Sequence, residues 1–224
     1  MTLSVRLVKR TMVHVTAAEA VGYRVLVLKV EVRVSRANDI RAAALELFTR
    51  LGYEATTMAD IGRAVGIRGP SLYKHIASKQ DLLAQIMIGT MEDLLAAHRA
   101  AIASSDGPVS RLRRATEAHV RYHARHRLEA FVGNREIRSL VEPHRSRVLA
   151  LRAHYEAGFR AIVDAGVAEG RFKVASARLV SYAVLDLGMG VAAWYREDGE
   201  LAEDAIVWQY GDFALRLAGA SSES

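Results

Sequence analysis

Apolar residues recur every three or four positions from residue 36 to the end of the chain, which is the period of an amphipathic helix. The first run contains Ile40, Ala44, Leu47 and Leu51 on one face. This spacing predicts a helix over 36–51.

Capping residues divide the next stretch into three further helices. Thr57 and Ser78 each precede an acidic residue by three positions, the pattern of a capped helix start. Pro70 is tolerated in a first helical turn, where its missing N–H is not needed. Gly52 and Gly66 are placed to end the helices before them. The predicted helices cover residues 57–65, 70–76 and 78–103.

The remainder of the chain repeats the helical pattern without a 20–50-residue sequence repeat, so a solenoid is not expected. The sequence Ser-Ser-Asp-Gly-Pro over 104–108 predicts a loop. The fold class that follows is all-α, with a three-helix N-terminal domain over 36–83 and a helical bundle over 84–224. Helices are predicted over 109–126, 128–140, 143–168, 175–195 and 200–219.

Residues 1–35 have a different pattern. From Tyr23 to Val34 valines alternate with charged residues, which predicts a strand without a partner in an otherwise helical chain. Lys29 interrupts the apolar stretch, so a signal peptide is not expected. We interpret 1–35 as a flexible basic extension, or as a start-site artefact with the true start near Val32 or Val34.

Charge is unevenly distributed along the chain. The net charge is +6 at pH 7, and residues 1–83 carry all of the excess. Residues 1–35 contain six Lys and Arg against two Asp and Glu, and residues 36–83 contain seven against five. A polyanionic partner is therefore expected to bind the N-terminal part.

The composition excludes several classes of protein. A hydrophobic content of 51% with 25% charged residues is typical of a globular chain. The chain has no cysteine, which excludes a disulfide framework, a Cys-ligated zinc and a thiol nucleophile. It has no apolar run of about 18 residues, so we expect no membrane partner and a cytoplasmic location.

The two short helices, joined by a three-residue turn that contains glycine, are typical of a helix-turn-helix. In the second of them Leu72 and Ile76 can face the core, which leaves polar side chains outward on a helix of a size that fits the major groove. Thr57 and Lys79 lie at helix starts, where phosphates bind. Lys79→Ala should then weaken binding to all sequences and reduce the salt dependence.

A resemblance to a family rests on this whole stretch, about 48 residues. The pattern Ile40-x2-Ala43-Ala44-x3-Phe48-x3-Gly52-Tyr53-x2-Thr56-Thr57-x3-Ile61-x2-Ala64-Val65-Gly66-Ile67-x4-Leu72-Tyr73-x-His75-x2-Ser78-Lys79-x2-Leu82-Leu83 resembles the DNA-binding domain of TetR/AcrR transcriptional regulators. The resemblance implies a homodimer on a palindromic operator, released by a ligand of the C-terminal domain.

The resemblance also assigns roles to residues. It implies that the helix at 68–76 is the recognition helix and that Tyr73 and Lys79 contact phosphates. Arg68 departs from the Ser or Thr usual in the family and cannot cap the helix in the same way, and Gly62 and Ile76 replace the usual Ala and Phe. The predicted DNA-binding residues are Thr57, Arg68, Gly69, Ser71, Tyr73, Lys74, His75 and Lys79.

The last two helices have more apolar surface than one chain can bury. Between Leu179 and Trp194 the clearly polar side chains are Ser181 and Asp186 alone. A helix that is apolar nearly all round is buried on both sides. We therefore predict a four-helix dimer interface formed by the last two helices of each subunit, with close backbone approach at glycines 188 and 190.

An apolar stripe on the helix over 143–168 predicts a core that also lines a small-molecule pocket. Motifs such as Gly170-Arg171-Phe172 resemble TetR-family members that sense fatty-acyl or steroid-derived CoA thioesters. This resemblance implies an acyl-CoA-type effector with cations at the pocket mouth, for which the arginines at 121, 125, 127, 135 and 138 are candidates. The predicted ligand-binding residues are Arg138, Tyr155, Phe159, Tyr182, Asp186 and Met189.

Three histidines offer a competing interpretation. His119, His123 and His126 lie near one helical face, which suits a zinc-dependent hydrolase. The arginines at 121 and 125 add positive charge to the same helix, and no nucleotide-binding or hydrolase motif is present. We therefore expect no enzyme, catalytic residue, metal or cofactor, and a DNA-binding repressor as the function. A helical interaction module that never contacts DNA is a third possibility.

Overall fold

The computed structural model describes residues 3–6, 12–15 and 36–220. Strands β1 (Leu3–Arg6) and β2 (Met12–Val15) form an antiparallel hairpin in which Leu3 pairs with Val15. This hairpin was not predicted from the sequence. The strand predicted from Tyr23 to Val34 lies outside the described residues.

All regular structure in the range 36–220 is helical, as predicted. The N-terminal helices are α1 (36–51), α2 (Met58–Ala64), α3 (Gly69–Leu72) and α4 (Lys79–Ile102). Gly52 and Gly66 adopt φ angles of +86° and +68°, the left-handed conformation that ends a helix. Five side chains with no solvent exposure form the centre of this part: Ile40, Phe48, Ile61, Leu72 and Leu82.

The C-terminal part contains the longer helices. Helix α5 packs against α4, α7, α8 and α9 and is therefore central to the bundle. The core of the bundle includes Leu112, Phe159 and Val163, which are fully buried. The elements are α5 (Gly107–Arg125), α6 (Arg127–Arg135), a 3-10 turn (Ile137–Ser139), α7 (His144–Ala168), α8 (Ala177–Trp194) and α9 (Glu203–Leu217).

Two features of the bundle differ from the sequence prediction. The helix predicted over 128–140 ends at Arg135, and the chain continues as a 3-10 turn that begins beside the buried side chain of Glu136. Helix α4 crosses the predicted domain boundary at 83/84 and supplies Met87 to the N-terminal core and Met91 to the C-terminal core. One helix thus contributes to both cores, and the domain boundary at 83/84 remains a prediction.

None of the helices in the described part of the chain combines the length and apolarity needed to cross a membrane.

Candidate DNA-binding and effector sites

Helix α2 begins with a complete capping box. The Thr57 hydroxyl oxygen accepts the backbone N–H of Asp60 at 3.1 Å, and the Asp60 carboxylate accepts the backbone N–H of Thr57 at 3.0 Å. The Thr57 hydroxyl also donates to the Asp60 carboxylate at 2.6 Å, and this bond, together with that from the Thr57 N–H, holds the pKa of Asp60 below its ordinary value. The predicted cap is thus confirmed, and the Thr57 hydroxyl is engaged in it.

Helix α3 ends earlier than predicted, at Leu72 instead of Ile76. Hydrogen-bonded turns continue the chain, because the Leu72 carbonyl accepts the N–H groups of His75 at 2.9 Å and Ile76 at 3.1 Å. Leu72 and Ile76 are buried, as the sequence pattern predicts. Pro70 lies in the first turn, and Arg68 precedes the helix without a side-chain cap.

The predicted recognition surface is solvent-accessible. Tyr73 is 56% exposed, and His75 is half-buried. The accessibility of Tyr73 and His75 follows from the burial of Leu72 and Ile76, which pack the opposite side of the segment against the core. The other exposed members of the predicted set are Thr57, Arg68, Gly69, Ser71 and Lys74.

Lys79 has contacts within the protein that the sequence did not reveal. Its ammonium donates to the carbonyl oxygens of Tyr53 and Thr56, both at 2.9 Å, and to that of Glu54 at 3.4 Å. The same Nζ atom lies 4.2 Å from the centroid of the Tyr53 ring. Three carbonyls occupy the three donors of an ammonium, so Lys79 holds the loop between α1 and α2 in place.

A buried carboxylate connects the turn after α6 to the same loop. Glu136 accepts the backbone N–H of Tyr53 at 3.3 Å and the hydroxyl of Ser139 at 3.0 Å. Gln80 adds a second link, since its amide donates to the Tyr53 hydroxyl at 2.8 Å and to the Ser139 carbonyl at 2.7 Å. The C-terminal bundle thereby contacts the loop that leads into α2.

Glu136→Leu should lower the free energy of unfolding by about 2 kcal/mol, because it leaves the buried N–H of Tyr53 without an acceptor. It should also weaken operator binding, since that loop positions α2. Glu136→Gln keeps an acceptor oxygen and should lose less. Urea unfolding measures the change, with the exposed Glu46→Leu as a control that should stay near wild type. An unchanged midpoint for Glu136→Leu would contradict this role.

A cavity of about 420 Å³ lies within the helical bundle, a size typical of small-molecule sites. Four of the predicted ligand-binding residues line it: Tyr155, Tyr182, Asp186 and Met189. The sequence analysis missed several others, namely Thr90, Met91, Leu94, His119, His123, Arg152 and Glu156. The cavity is the candidate effector site.

The other two predicted ligand-binding residues, Arg138 and Phe159, do not line this cavity. Arg138 lies exposed on the 3-10 turn. Phe159 is fully buried behind Tyr155, with ring centroids 5.4 Å apart, because it lies one turn further along α7. Phe159 therefore belongs to the core.

Two of the arginines considered for the pocket mouth instead join α5 to the start of α9. Arg121 lies 2.5 Å from Glu203 and 2.7 Å from Asp204, and Arg125 lies 2.8 Å from Glu203. The hydrogen bonds from Arg125 and Arg121 hold the pKa of Glu203 below its ordinary value. Their role in the structure is to position α9.

The three histidines do not form a shared metal site. The Leu185 carbonyl can only accept, so Nε2 of His119 donates to it at 3.0 Å, and Nδ1 accepts the Tyr155 hydroxyl at 3.0 Å. His126 stacks on Tyr122 with centroids 4.3 Å apart. Within the described ranges, no three His, Cys, Asp or Glu residues are grouped to hold a metal. The geometry gives the hydrolase interpretation no support.

Burial keeps the cavity histidines neutral. It lowers the pKa of His119 to about 4, and it lowers the pKa of His123 to about 2 with the neighbouring histidines adding to the shift. Nδ1 of His123 is buried without a hydrogen-bond partner. A buried polar atom of this kind suits a ligand that supplies the missing hydrogen bond.

Helices α8 and α9 expose a set of large apolar side chains. Leu187, Phe213 and Leu217 line one shallow groove between the two helices. The other exposed members are Leu179, Tyr182, Trp194 and Trp208. An apolar surface of this extent is typical of an interface between proteins.

Of the two glycines predicted for the dimer contact, Gly188 packs against its own chain, and the contact at Gly190 stays a prediction. Gly188 is buried, and a Cβ atom there would overlap the ring of His119, so the close approach is to α5 of the same chain. Gly190 is exposed, with nothing within 4 Å of a Cβ position. Gly188 therefore supports the wall of the cavity.

A capped helix, a tight turn and a second short helix with an exposed polar face define the class of helix-turn-helix DNA-binding proteins. Two family models match the chain. One, for bacterial regulatory proteins of the tetR family, matches residues 40–86, and the other, for the tetracyclin repressor-like C-terminal domain, matches residues 105–218. The chain belongs to the TetR family and is a DNA-binding transcriptional repressor of that family.

Individual relatives agree with this assignment. The HTH-type transcriptional repressor KstR2 of Rhodococcus jostii (strain RHA1) is 29% identical over 183 residues, which cover 80% of this chain and 89% of KstR2. A tetR-family regulatory protein from Rhodococcus RHA1 is 31% identical, with a TM-score of 0.78, 84% of this chain covered and 98% of that one.

A second structure shows the same fold at lower identity. AibR, solved in complex with isovaleryl coenzyme A and operator DNA, has a TM-score of 0.73 at 22% identity. The match covers 83% of this chain and all of the AibR chain (100%).

Proposed function

We propose that this repressor acts as a homodimer on a palindromic operator and is released from it by an acyl-CoA-type effector. The observation that carries the proposal is the exposed face of the α3 segment, where Arg68, Ser71, Tyr73 and Lys74 surround a buried Leu72. Side chains of these types donate hydrogen bonds to base edges and phosphates. The protein would work in the cytoplasm, and we propose no enzymatic activity.

The proposed dimer forms through α8 and α9. Two recognition helices must reach half-sites about one DNA turn apart, which a two-fold axis provides. The exposed apolar face of α8 and α9 is suited to such an axis because covering it removes large side chains such as Trp208 from water.

The effector would bind in the cavity lined by Tyr155 and Met189. AibR, which has the same fold, was crystallised with isovaleryl coenzyme A, and this supports a CoA thioester. A cavity of about 420 Å³ can hold an acyl group, and the larger CoA part would remain outside it. The effector would favour a conformation in which the recognition helices are wrongly spaced, so operator binding and effector binding weaken each other by the same factor.

Operator binding is tested by selecting bound fragments from genomic DNA with the purified protein, followed by footprinting. Lys74→Ala should weaken binding about tenfold and lower the salt slope by about 1, because it removes one contact with DNA. Lys173→Ala makes the same charge change in the C-terminal part and should bind like wild type. Equal binding to every fragment, or no effect of Lys74→Ala, would refute the proposed interface.

Release by the effector is tested with decanoyl-CoA and decanedioyl-CoA, with free CoA as the control. At saturation an acyl-CoA should lower operator affinity at least tenfold, while free CoA should not. Operator affinity that is the same with and without each thioester would refute release by acyl-CoA.

A further inference from the structure

We propose that Arg152 binds a carboxylate of the effector, so that the effector is an apolar molecule that carries a carboxylate inside the cavity. The inference rests on the proposed function, because it takes this cavity as the effector site. Arg152 lies on α7 and is part of the cavity wall.

Arg152 has no carboxylate partner among the residues that the structure describes. Its Nη2 atom donates to the Gly133 carbonyl at 2.7 Å, which uses one of the five N–H groups of the guanidinium. Arg152 is half-buried, and this burial lowers its pKa from the ordinary value with no acidic group acting against the shift. A half-buried cation without an acidic neighbour is stabilised when an anion hydrogen-bonds to it.

The acidic side chains of the cavity are engaged elsewhere or exposed. Glu156 accepts the Ser181 hydroxyl at 2.5 Å and lies 3.7 Å from the Arg160 guanidinium. Glu129 lies 3.7 Å from the ring of His126 on the preceding turn. Asp186 is solvent-exposed at the edge of the cavity. None of them forms an ion pair with Arg152, so the guanidinium remains available to a ligand.

The rest of the wall determines the body of the ligand. Met91, Leu94 and Met189 make much of the lining apolar, which suits an alkyl or alicyclic body. Nδ1 of His123 is the second polar point, since it is buried and lacks a partner. A neutral imidazole can accept or donate one hydrogen bond, so a hydroxyl on the ligand body would satisfy it.

The position of Arg152 also connects ligand binding to the DNA-binding end of the molecule. The carbonyl it contacts, that of Gly133, lies in the last turn of α6, three residues before Glu136. Glu136 holds the backbone N–H of Tyr53. A carboxylate that draws the guanidinium away from Gly133 would release the end of α6, and the loop before α2 would lose its support.

The carboxylate can come from two sources. It is either that of a free carboxylic acid or the distal carboxylate of a dicarboxylic acid esterified to CoA at its other end. Decanoate represents the first and decanedioyl-CoA the second, while decan-1-ol and decanoyl-CoA are the matched probes without a carboxylate at that end. Calorimetric titration of the full-length protein measures the affinity for all four.

We expect at least one carboxylate probe to bind wild type about tenfold more tightly than its matched probe, as one charge-assisted pair provides. Arg152→Gln keeps an N–H donor for Gly133 and should remove this preference, with a change below twofold for the matched probe. Arg147→Gln removes the same charge from an exposed position of α7 and should behave like wild type. If Arg152→Gln does not fold, Arg152→Lys keeps the charge and should lose part of the preference, because it cannot form the bidentate contact.

The outcomes separate this proposal from the proposed function. If decanoyl-CoA binds as tightly as decanedioyl-CoA, decanoate binds no better than decan-1-ol, and the thioesters release the operator, the carboxylate proposal fails and the effector proposal stands. If Arg152→Gln retains the carboxylate preference, Arg152 is not the residue that binds it and the proposal fails. If none of the four probes binds at millimolar concentration, the proposal is likewise overturned, while operator selection by the protein is unaffected.

Discussion

Leu187→Glu should convert the protein to a monomer and lower its operator affinity by more than 100-fold. Leu187 is 45% exposed and lines the groove between α8 and α9 together with Phe213 and Leu217. A carboxylate buried there in a dimer would cost several kcal/mol, which is more than two factors of ten in association. A monomer presents one recognition helix and loses the second half-site.

Light scattering coupled to size-exclusion chromatography reports the mass, and fluorescence anisotropy reports the operator affinity. Leu149→Glu is the matched control, since Leu149 has the same 45% exposure and lies on α7, outside the proposed interface. It should remain a dimer with wild-type affinity. A Leu187→Glu protein that stays dimeric would contradict an interface through α8 and α9.

Lys79→Met should lower both the free energy of unfolding, by about 2–3 kcal/mol, and the operator affinity, by at least tenfold. The ammonium holds three backbone carbonyls of the loop before α2, and hydrogen bonds to a charged donor contribute this much. The salt slope of operator binding should not change, because no ammonium donor is left for a phosphate. Thermal or urea unfolding and anisotropy at several salt concentrations measure the three quantities.

Lys74→Met separates the two roles that a lysine can have here. Lys74 is exposed on the recognition surface, so its loss should leave stability unchanged and reduce the salt slope by about 1. If Lys79→Met reduces the slope in the same way, Lys79 contacts phosphate as the family resemblance implies. If Lys79→Met leaves the free energy of unfolding unchanged, the contacts with the three carbonyls do not hold the loop.

Local signals along the chain were enough to predict most helices. The caps at Thr57 and Ser78, Pro70 in a first turn and the left-handed glycines at 52 and 66 act within a few residues, so their effect is visible in the sequence. The limit of α3 was predicted less well, because the chain after Leu72 continues as turns whose sequence pattern resembles a helix.

The cavity could be predicted only in part. Tyr155, Tyr182, Asp186 and Met189 were found because they lie on or near apolar stripes of α7 and α8. Arg152 was missed because a single arginine at the edge of such a stripe reads as a solvated side chain. Only its distance to the Gly133 carbonyl, a contact over 19 positions of the chain, shows where the guanidinium lies.

The sequence by itself determined the helical class, the order of the helices, the helix-turn-helix and the family, because all of these depend on residues that are near one another along the chain. Only the tertiary structure decided what Lys79, Glu136 and Arg152 contact. The backbone groups that these side chains contact are 19 or more positions away and are brought together by the packing of α4, α6 and α7. Helical periodicity specifies which face of a helix is buried, and the neighbour on that face is set by the fold as a whole.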